Sequence, residues 1–357
     1  MPGVTRVLIT GVGGRSVGHQ ILSAIRCAPN PYWVVATDAD AFSFGLYLAD
    51  ARYVVPRARD SHYLPALLSI VEREGVQVVL PGTEAELRVL AAARDDLAAR
   101  GCALIASDPA IVDHCLNKAT LQAWLSDHGY GTPETAAADG WRDLASRVGF
   151  PLVGKPSEDS GGSKGVELLA DEREVTRFVD ESARRGTTVL FQEYVGTADS
   201  EYTVGVLIDH AGRLIDSIVL HRRLIGLSLG VSRVIDGAVY ALSTGYSQGC
   251  IETQAAIAGV CERLALEIGI RGPANIQLRL AGGIPKIFEV HPRFSGTTSI
   301  RAECDFNEPD VLIRNRLHGE AFGRLDYRRE VAAIRAFQTV IVPLDEMRAT
   351  PGQGDPQ

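Results

Sequence analysis

The sequence predicts an α/β protein, with a parallel-sheet first domain followed by two α+β lobes. Three observations lead there. Over the first 115 residues, short apolar runs alternate with amphipathic segments, the pattern of a parallel sheet with helices on its faces. Around residue 117 that rhythm gives way to strand pairs joined by glycine-rich or Asp/Gly turns. The length of 357 residues is enough for two or three domains around a large core. The expected boundaries are 1–115, a small lobe with a central helix over 116–195, a larger lobe over 196–345, and a disordered tail over 346–357.

The elements follow in order. Residues 7–10 are an apolar strand, 18–26 a helix, and 33–37 a second strand ending at Asp38. A helix over 63–74, a strand over 76–80, a helix over 84–100 and a strand over 103–106 complete a Rossmann-like unit. Residues 117–128 form an amphipathic helix closed by Gly-Tyr-Gly-Thr-Pro. From 150 to 194 come a strand, a glycine-rich loop, a strand, a helix near 172–185 and another strand. Residues 201–208 and 213–222 pair around Asp209-His-Ala-Gly212. A long helix over 252–268, a hairpin of 275–280 with 286–291, and a helix over 308–320 follow.

Composition excludes several function classes. With 46% hydrophobic and 22% charged residues, this is an ordinary globular chain. A net charge of −8 argues against broad nucleic-acid or anionic-membrane binding. The six cysteines (27, 102, 115, 250, 261 and 304) form no CxxC pair, so they read as buried thiols of a reducing compartment. The start, Met-Pro-Gly-Val-Thr, lacks the apolar region of a signal peptide, and no 18-residue apolar run exists. A cytoplasmic protein with neither nucleic-acid nor membrane partners is expected.

Four stretches carry chemistry. In the segment 287–298, Glu289, His291 and Arg293 alternate along a strand end and share one face. Pro292 ends the ladder there, and Ser-Gly-Thr-Thr follows. A carboxylate, an imidazole and a guanidinium side by side suit a metal-bound, phosphate-handling site. The loop after Lys155 runs through Ser160, Gly161, Gly162 and Lys164, and its small residues let backbone N–H groups approach phosphate oxygens. It lacks the spacing of a Walker A loop. Gln277 and Glu289 sit on the two strands of the last hairpin, where with His291 they can converge on one divalent ion. Oxygen donors suit Mg²⁺, while imidazole suits softer metals. The turn Gly11-Val-Gly13-Gly14-Arg-Ser-Val-Gly18, with Asp38 on the next strand, is near a dinucleotide fingerprint but off its spacing. It reads first as a tight strand-to-helix turn.

Taken together, Lys118 opening a helix, Lys155 before its glycine loop, Gln192-Glu193-Tyr194-Val195 with Glu201, Gln277, and Glu289-x-His291-x-Arg293 resemble the ATP-grasp superfamily of ligases. The resemblance is to the carbamoyl-phosphate-synthase-like branch and covers roughly residues 5–320. It implies an ATP-grasp fold preceded by a Rossmann-like domain, with ATP between two lobes. Lys118 and Lys155 would hold phosphates beneath a cover at Ser160, Gly161 and Gly162. Glu193, Tyr194 and Val195 would take the adenine, and Glu201 the ribose. Gln277, Glu289 and His291 would ligate Mg²⁺, or Mn²⁺. Arg293 would neutralise the transferring phosphoryl group, with Lys155 and His291 as further catalytic candidates.

The implied reaction activates a carboxylate as an acyl phosphate and joins it to an amine, releasing ADP and phosphate. The partners would be a small amino-acid-like carboxylate, an amine and a second copy of the chain. Two departures stand out: Asn117 replaces the usual Asp, and His291 the usual Asn. Arg233 and Arg301, with Ser295 and Gly296, are the candidates for binding the acyl substrate, since an arginine fork suits a carboxylate. The rival readings are an NAD(P)-dependent oxidoreductase built on the first glycine turn, and a nucleotide-binding regulator without turnover.

Overall fold

The computed structural model describes residues 4–157 and 165–352. The expected phosphate cover at Ser160, Gly161, Gly162 and Lys164 lies outside the described residues.

The first domain is a five-stranded parallel sheet in the order Ala51–Val54, Tyr32–Asp38, Thr5–Thr10, Val78–Leu80, Ala103–Leu104. The edge strand Ala51–Val54 escaped the sequence reading because all four residues are only partly buried and show no alternation. The expected helix over 84–100 is two, Glu84–Ala92 and Arg94–Ala98, broken at Ala93. Helix Val17–Arg26 starts where the Ser16 hydroxyl accepts from the His19 amide at 3.1 Å, and it buries Ile21, Leu22, Ala24 and Ile25.

Its glycines serve packing. A Cβ on Gly18 would lie 2.2 Å from the Thr10 carbonyl oxygen, and one on Gly82 would lie 1.8 Å from the same atom. The short 3₁₀ turn Phe44–Leu48 covers the glycine turn, with the Gly45 amide donating to Val12 O at 3.0 Å. These contacts favour the tight-turn reading over a dinucleotide cradle.

The small lobe is an antiparallel sheet in the order Thr135–Ala137, Val189–Glu193, Leu152–Pro156, Glu167–Leu169. Helices Trp141–Val148 and Glu172–Arg184 pack on it through Trp141, Leu144, Val175 and Phe178. Helix Lys118–Asp127, capped by the Asn117 side chain accepting from the Thr120 amide at 3.0 Å, does not belong to this lobe. Its Leu121 and Leu125 pack with Val204, Ile257, Cys261 and Leu264 on the large lobe. The expected boundary at 116 is corrected accordingly.

The large lobe is a six-stranded antiparallel sheet in the order Ile284–His291, Gly272–Ala281, Glu201–Ile208, Leu214–Arg222, Gly249–Ile251, Val331–Ala333. Alternation divides its faces. Tyr202, Val204, Val206, Ala274, Ile276 and Leu278 turn to helix Ala255–Ile268. On the other face, Leu207, Ile218 and Leu220 merge with Ile9, Ile21 and Ile25 of the first domain in one apolar core. Further along that face the residues are polar: Glu201, Thr203, Asn275, Gln277, Arg279, Glu289 and His291. The ladder aligns Thr203 with Gln277, Gln277 with Glu289, and Asn275 with His291. A bulge at Phe288 lets Ile287 and Val290 both join the helix-side core while Phe288 and Glu289 face the opposite way.

Other expectations are corrected. Part of the expected tail is ordered: Leu344–Arg348 is helical, and the Val54 amide donates to Pro351 O at 2.8 Å. The hairpin Leu229–Ile235 with Ala238–Ser243 was unforeseen. Cys27 is exposed rather than buried. Among the described residues no helix is long and apolar enough to cross a membrane.

Candidate active site

A cavity of about 880 Å³ lies where three parts meet. The first domain contributes Arg15–Val17 and Gly82–Ala85, the loops after strands Thr5–Thr10 and Val78–Leu80. The strand order of a doubly wound sheet reverses between these two, which is where such sheets hold ligands. The small lobe contributes Lys155 and Gln192 to Val195, and the polar face of the large lobe forms the floor.

Cations and carboxylates are packed closely there. Lys118 and Lys155 are both buried. The Lys155 ammonium donates to Gln192 Oε1 at 2.8 Å. Burial pulls this lysine down to about 8, against the opposing pull of Glu289. Burial alone would raise Glu289, yet the hydrogen bond and charge of His291, with the two lysines, hold it at about 2.

His291 sits between two carboxylates. Its Nε2 is 2.9 Å from Glu289 Oε2, and its Nδ1 is 3.0 Å from Glu84 Oε1 in a charge contact without hydrogen-bond alignment. Burial and Arg293 would lower this imidazole, but the two carboxylates outweigh them and hold it above its ordinary range. Arg293 Nη2 donates to the same Glu84 oxygen at 2.8 Å. Glu84 is itself held well below the usual carboxylate range by His291 and Arg293, which overcome its burial.

These contacts decide which residues suit a divalent ion. Gln277 and Glu289 present oxygen donors from paired strands, and Glu289 is ionised, which suits Mg²⁺. His291 has each ring nitrogen within 3.0 Å of a carboxylate oxygen, and those contacts compete with any metal for its nitrogens. No group of three or more His, Cys, Asp or Glu has metal-holding geometry among the described residues.

Glu201 reaches the cavity as a fully buried carboxylate already neutralised by two arginines. Arg222 Nη1 lies 2.8 Å from Oε1, and Arg279 donates twice to Oε2, at 2.8 and 2.9 Å. It therefore orders Arg222 and Arg279 while still lining the cavity where a ribose is expected. Arg279 also stands 4.5 Å from the centre of the Tyr194 ring and donates to Ala241 O at 2.7 Å. The Glu193 carboxylate accepts from the Glu134 amide at 3.1 Å. Glu193, Tyr194, Val195, Ser295 and Gly296 all line the cavity. A Cβ on Gly296 would lie 2.2 Å from Gly245 O, so only glycine fits.

Two expected substrate arginines do not line the cavity. Arg301 is fully buried beneath the floor, bonded to Glu308 Oε1 at 2.7 Å and Asn275 Oδ1 at 2.8 Å. Gly205 leaves room for it, since a Cβ there would come within 2.3 Å of the guanidinium. Arg233 forks onto Glu174 at 2.7 and 2.9 Å and donates to Leu168 O at 2.8 Å, tying the 229–243 hairpin to the small lobe. Sequence reasoning also missed Glu84, Arg15, Arg222, Arg279 and Tyr246. Glu84 had a signal: it follows Thr83, an N-cap just past a strand end, in a loop that doubly wound sheets use for ligands.

Comparison with known proteins agrees with this architecture. Residues 7–105 match the family described as PylC-like, N-terminal domain. Residues 187–340 match the family described as ATP-grasp in the biosynthetic pathway with Ter operon. The chain is 27% identical over 310 residues to the carbamoyl phosphate synthase large chain of Deinococcus radiodurans, covering 82% of this chain and 28% of that protein. It is 27% identical over 288 residues to the large chain of Vibrio cholerae, covering 79% and 24%. It thus spans about a quarter of the length of the curated relatives it matches.

In fold it is similar to a biotin carboxylase–β,γ-ATP complex from Campylobacter jejuni (TM-score 0.64, 15% identity, 91% of this chain and 74% of that one). It is also similar to the biotin carboxylase domain of Hydrogenobacter thermophilus 2-oxoglutarate carboxylase with MgADP (TM-score 0.62, 17% identity, 91% and 71%). A third neighbour is the L-amino acid ligase of Bacillus licheniformis (TM-score 0.61, 17% identity, 88% and 74%). The chain thus carries, in order, a PylC-like N-terminal match and an ATP-grasp match on the fold described above.

Proposed function

We propose that this chain is an ADP-forming ligase that activates a carboxylate with ATP and joins it to an amine. One observation carries the reading: Lys118, Lys155, Arg293, Glu289 and Gln277 converge on a single cavity that also opens to the switch-point loops of the first domain. That supports a reading in which these cations hold phosphates and the first-domain loops face an acceptor.

The chemistry balances as follows. A carboxylate oxygen attacks the γ-phosphorus, the β–γ P–O bond breaks, and ADP leaves. The amine nitrogen then attacks the acyl carbon, and phosphate departs as the C–O bond breaks and the amine gives up a proton. Such transfers need positioning and charge neutralisation more than covalent help from the protein. Lys118 and Lys155 hold phosphate oxygens from the lobe side. Arg293 neutralises the moving phosphoryl group once Glu84 releases it. Glu193, Tyr194 and Val195 take the adenine. Glu289 and Gln277 would hold Mg²⁺, which would offset the charge of the β- and γ-phosphates.

The test is ADP release across pairs of carboxylic acids and amines, in Mg²⁺ and again in Mn²⁺. Arg293→Ala is expected to lower the rate by about 10²–10³, as for loss of one well-placed donor. A variant that kept most of its ADP release would remove Arg293 from the phosphoryl-transfer step.

A further inference from the structure

The buried and half-buried arginines around the cavity share one property, with one exception. Arg222 and Arg279 meet Glu201, Arg293 meets Glu84, and Arg301 meets Glu308. Arg335 meets only neutral groups. Its Nη2 donates to Gln20 Oε1 and Ser299 Oγ, both at 2.8 Å, and Ser299 in turn donates to the same Gln20 oxygen. Its guanidinium lies 4.4 Å from the centre of the Tyr246 ring. Its Nη1 is buried and has no hydrogen-bond partner among the described residues. Nδ1 of nearby His19 is likewise buried and unpartnered.

A buried cation without a counter-ion is costly unless something supplies the charge. Burial pulls this guanidinium down to about 10, and burial with the Arg335 charge lowers the His19 imidazole from its ordinary range. The group stands beside the cavity on the first-domain side. Tyr246 lines the cavity, and Gln20 follows one turn after Ser16 and Val17, which line it too. Its neutral partners orient the guanidinium and set no carboxylate against it.

We propose that Arg335, set behind Tyr246 with His19, Gln20 and Ser299, reads the charge of the substrate on the acceptor side. The acid or amine it selects carries an anionic group, carboxylate or phosphoryl, separate from the carboxylate that is activated. This names a substrate class and so rests on the ligase reading. Arg335 acts by recognition and takes no part in bond making.

The test uses the full chain and calorimetric titration without nucleotide. The probes are L-glutamate against L-glutamine, and O-phosphoethanolamine against ethanolamine. At least one anionic probe is expected to bind about tenfold or more tighter than its neutral counterpart, and which one does so separates carboxylate from phosphoryl recognition. Arg335→Gln is expected to weaken that probe by about 10–100-fold, to the level of the neutral one. Gln20→Glu, which places a carboxylate on Nη2, is expected to cause the same loss with the arginine still present. ATP affinity unchanged in both variants shows that they are folded. Equal binding of anionic and neutral probes, no binding of either anion at millimolar concentration, or an Arg335→Gln variant that still discriminates overturns the proposal. Failure of the ligase reading looks different: the anion preference persists while no acid–amine pair releases ADP.

Discussion

His291 is the residue where expectation and geometry differ most instructively. Its place on the face of Glu289 followed from alternation, but its pairing with Glu84 of another domain arises only from long-range packing. Lys155 carries a second consequence of burial. At about 8, it loses its charge within an accessible range. The kcat/KM for ATP is therefore expected to fall as pH rises through about 8, and Lys155→Arg should move that fall to higher pH. A profile unchanged by the substitution would assign it elsewhere. Glu86 gives a prediction on stability. It accepts the Thr10 and Thr83 hydroxyls at 2.9 and 2.8 Å, and burial raises it to about 7. The folded chain thus binds this proton more tightly than the unfolded one. Its contribution is fully present below the unfolded pKa and is lost as pH rises through about 7, on the order of 3 kcal/mol. Urea melts at about pH 5 and pH 8 should show that loss, and Glu86→Gln should largely abolish the difference.

The hairpin Leu229–Ile235 with Ala238–Ser243 shows what pattern reading cannot supply. Val231, Val234 and Val239 are exposed, so the segment lacks a polar-out alternation. Its Arg233 was expected at a substrate and instead clasps Glu174, which its hydrogen bonds and Arg233 hold at about 2 despite some burial. This clasp links the hairpin to helix Glu172–Arg184 of the small lobe. Arg233→Ala is expected to raise the KM for ATP severalfold with kcat little changed, in keeping with the modest worth of a partly exposed pair. A large fall in kcat with KM unchanged would return Arg233 to the substrate. Elements with strong periodicity were legible: the helix Tyr63–Glu74 and the two strands of the last hairpin lie where the sequence puts them. The edge strand Ala51–Val54 and helix Pro109–Leu116 were not, because their residues are partly exposed or their apolar positions follow no clear face.

Across the whole chain, one core joins the first domain to the large lobe, and the cavity sits at the rim of that junction. The floor residues were legible because they lie on regular strands with period two. The first-domain wall was not, since Glu84 and Arg15 become neighbours of the floor only through long-range packing. That arrangement puts Lys118, Lys155 and Arg293 in one enclosure with the switch-point loops of the first domain, which supports the proposed reading of the chain as a ligase that works through an acyl phosphate. The most direct test follows the oxygen. With an acid–amine pair found by ADP release, the acid is supplied with heavy oxygen in its carboxylate, and the released phosphate is analysed by mass. Transfer of one labelled oxygen from the acid to phosphate is the predicted result. Product formation with unlabelled phosphate would contradict the account.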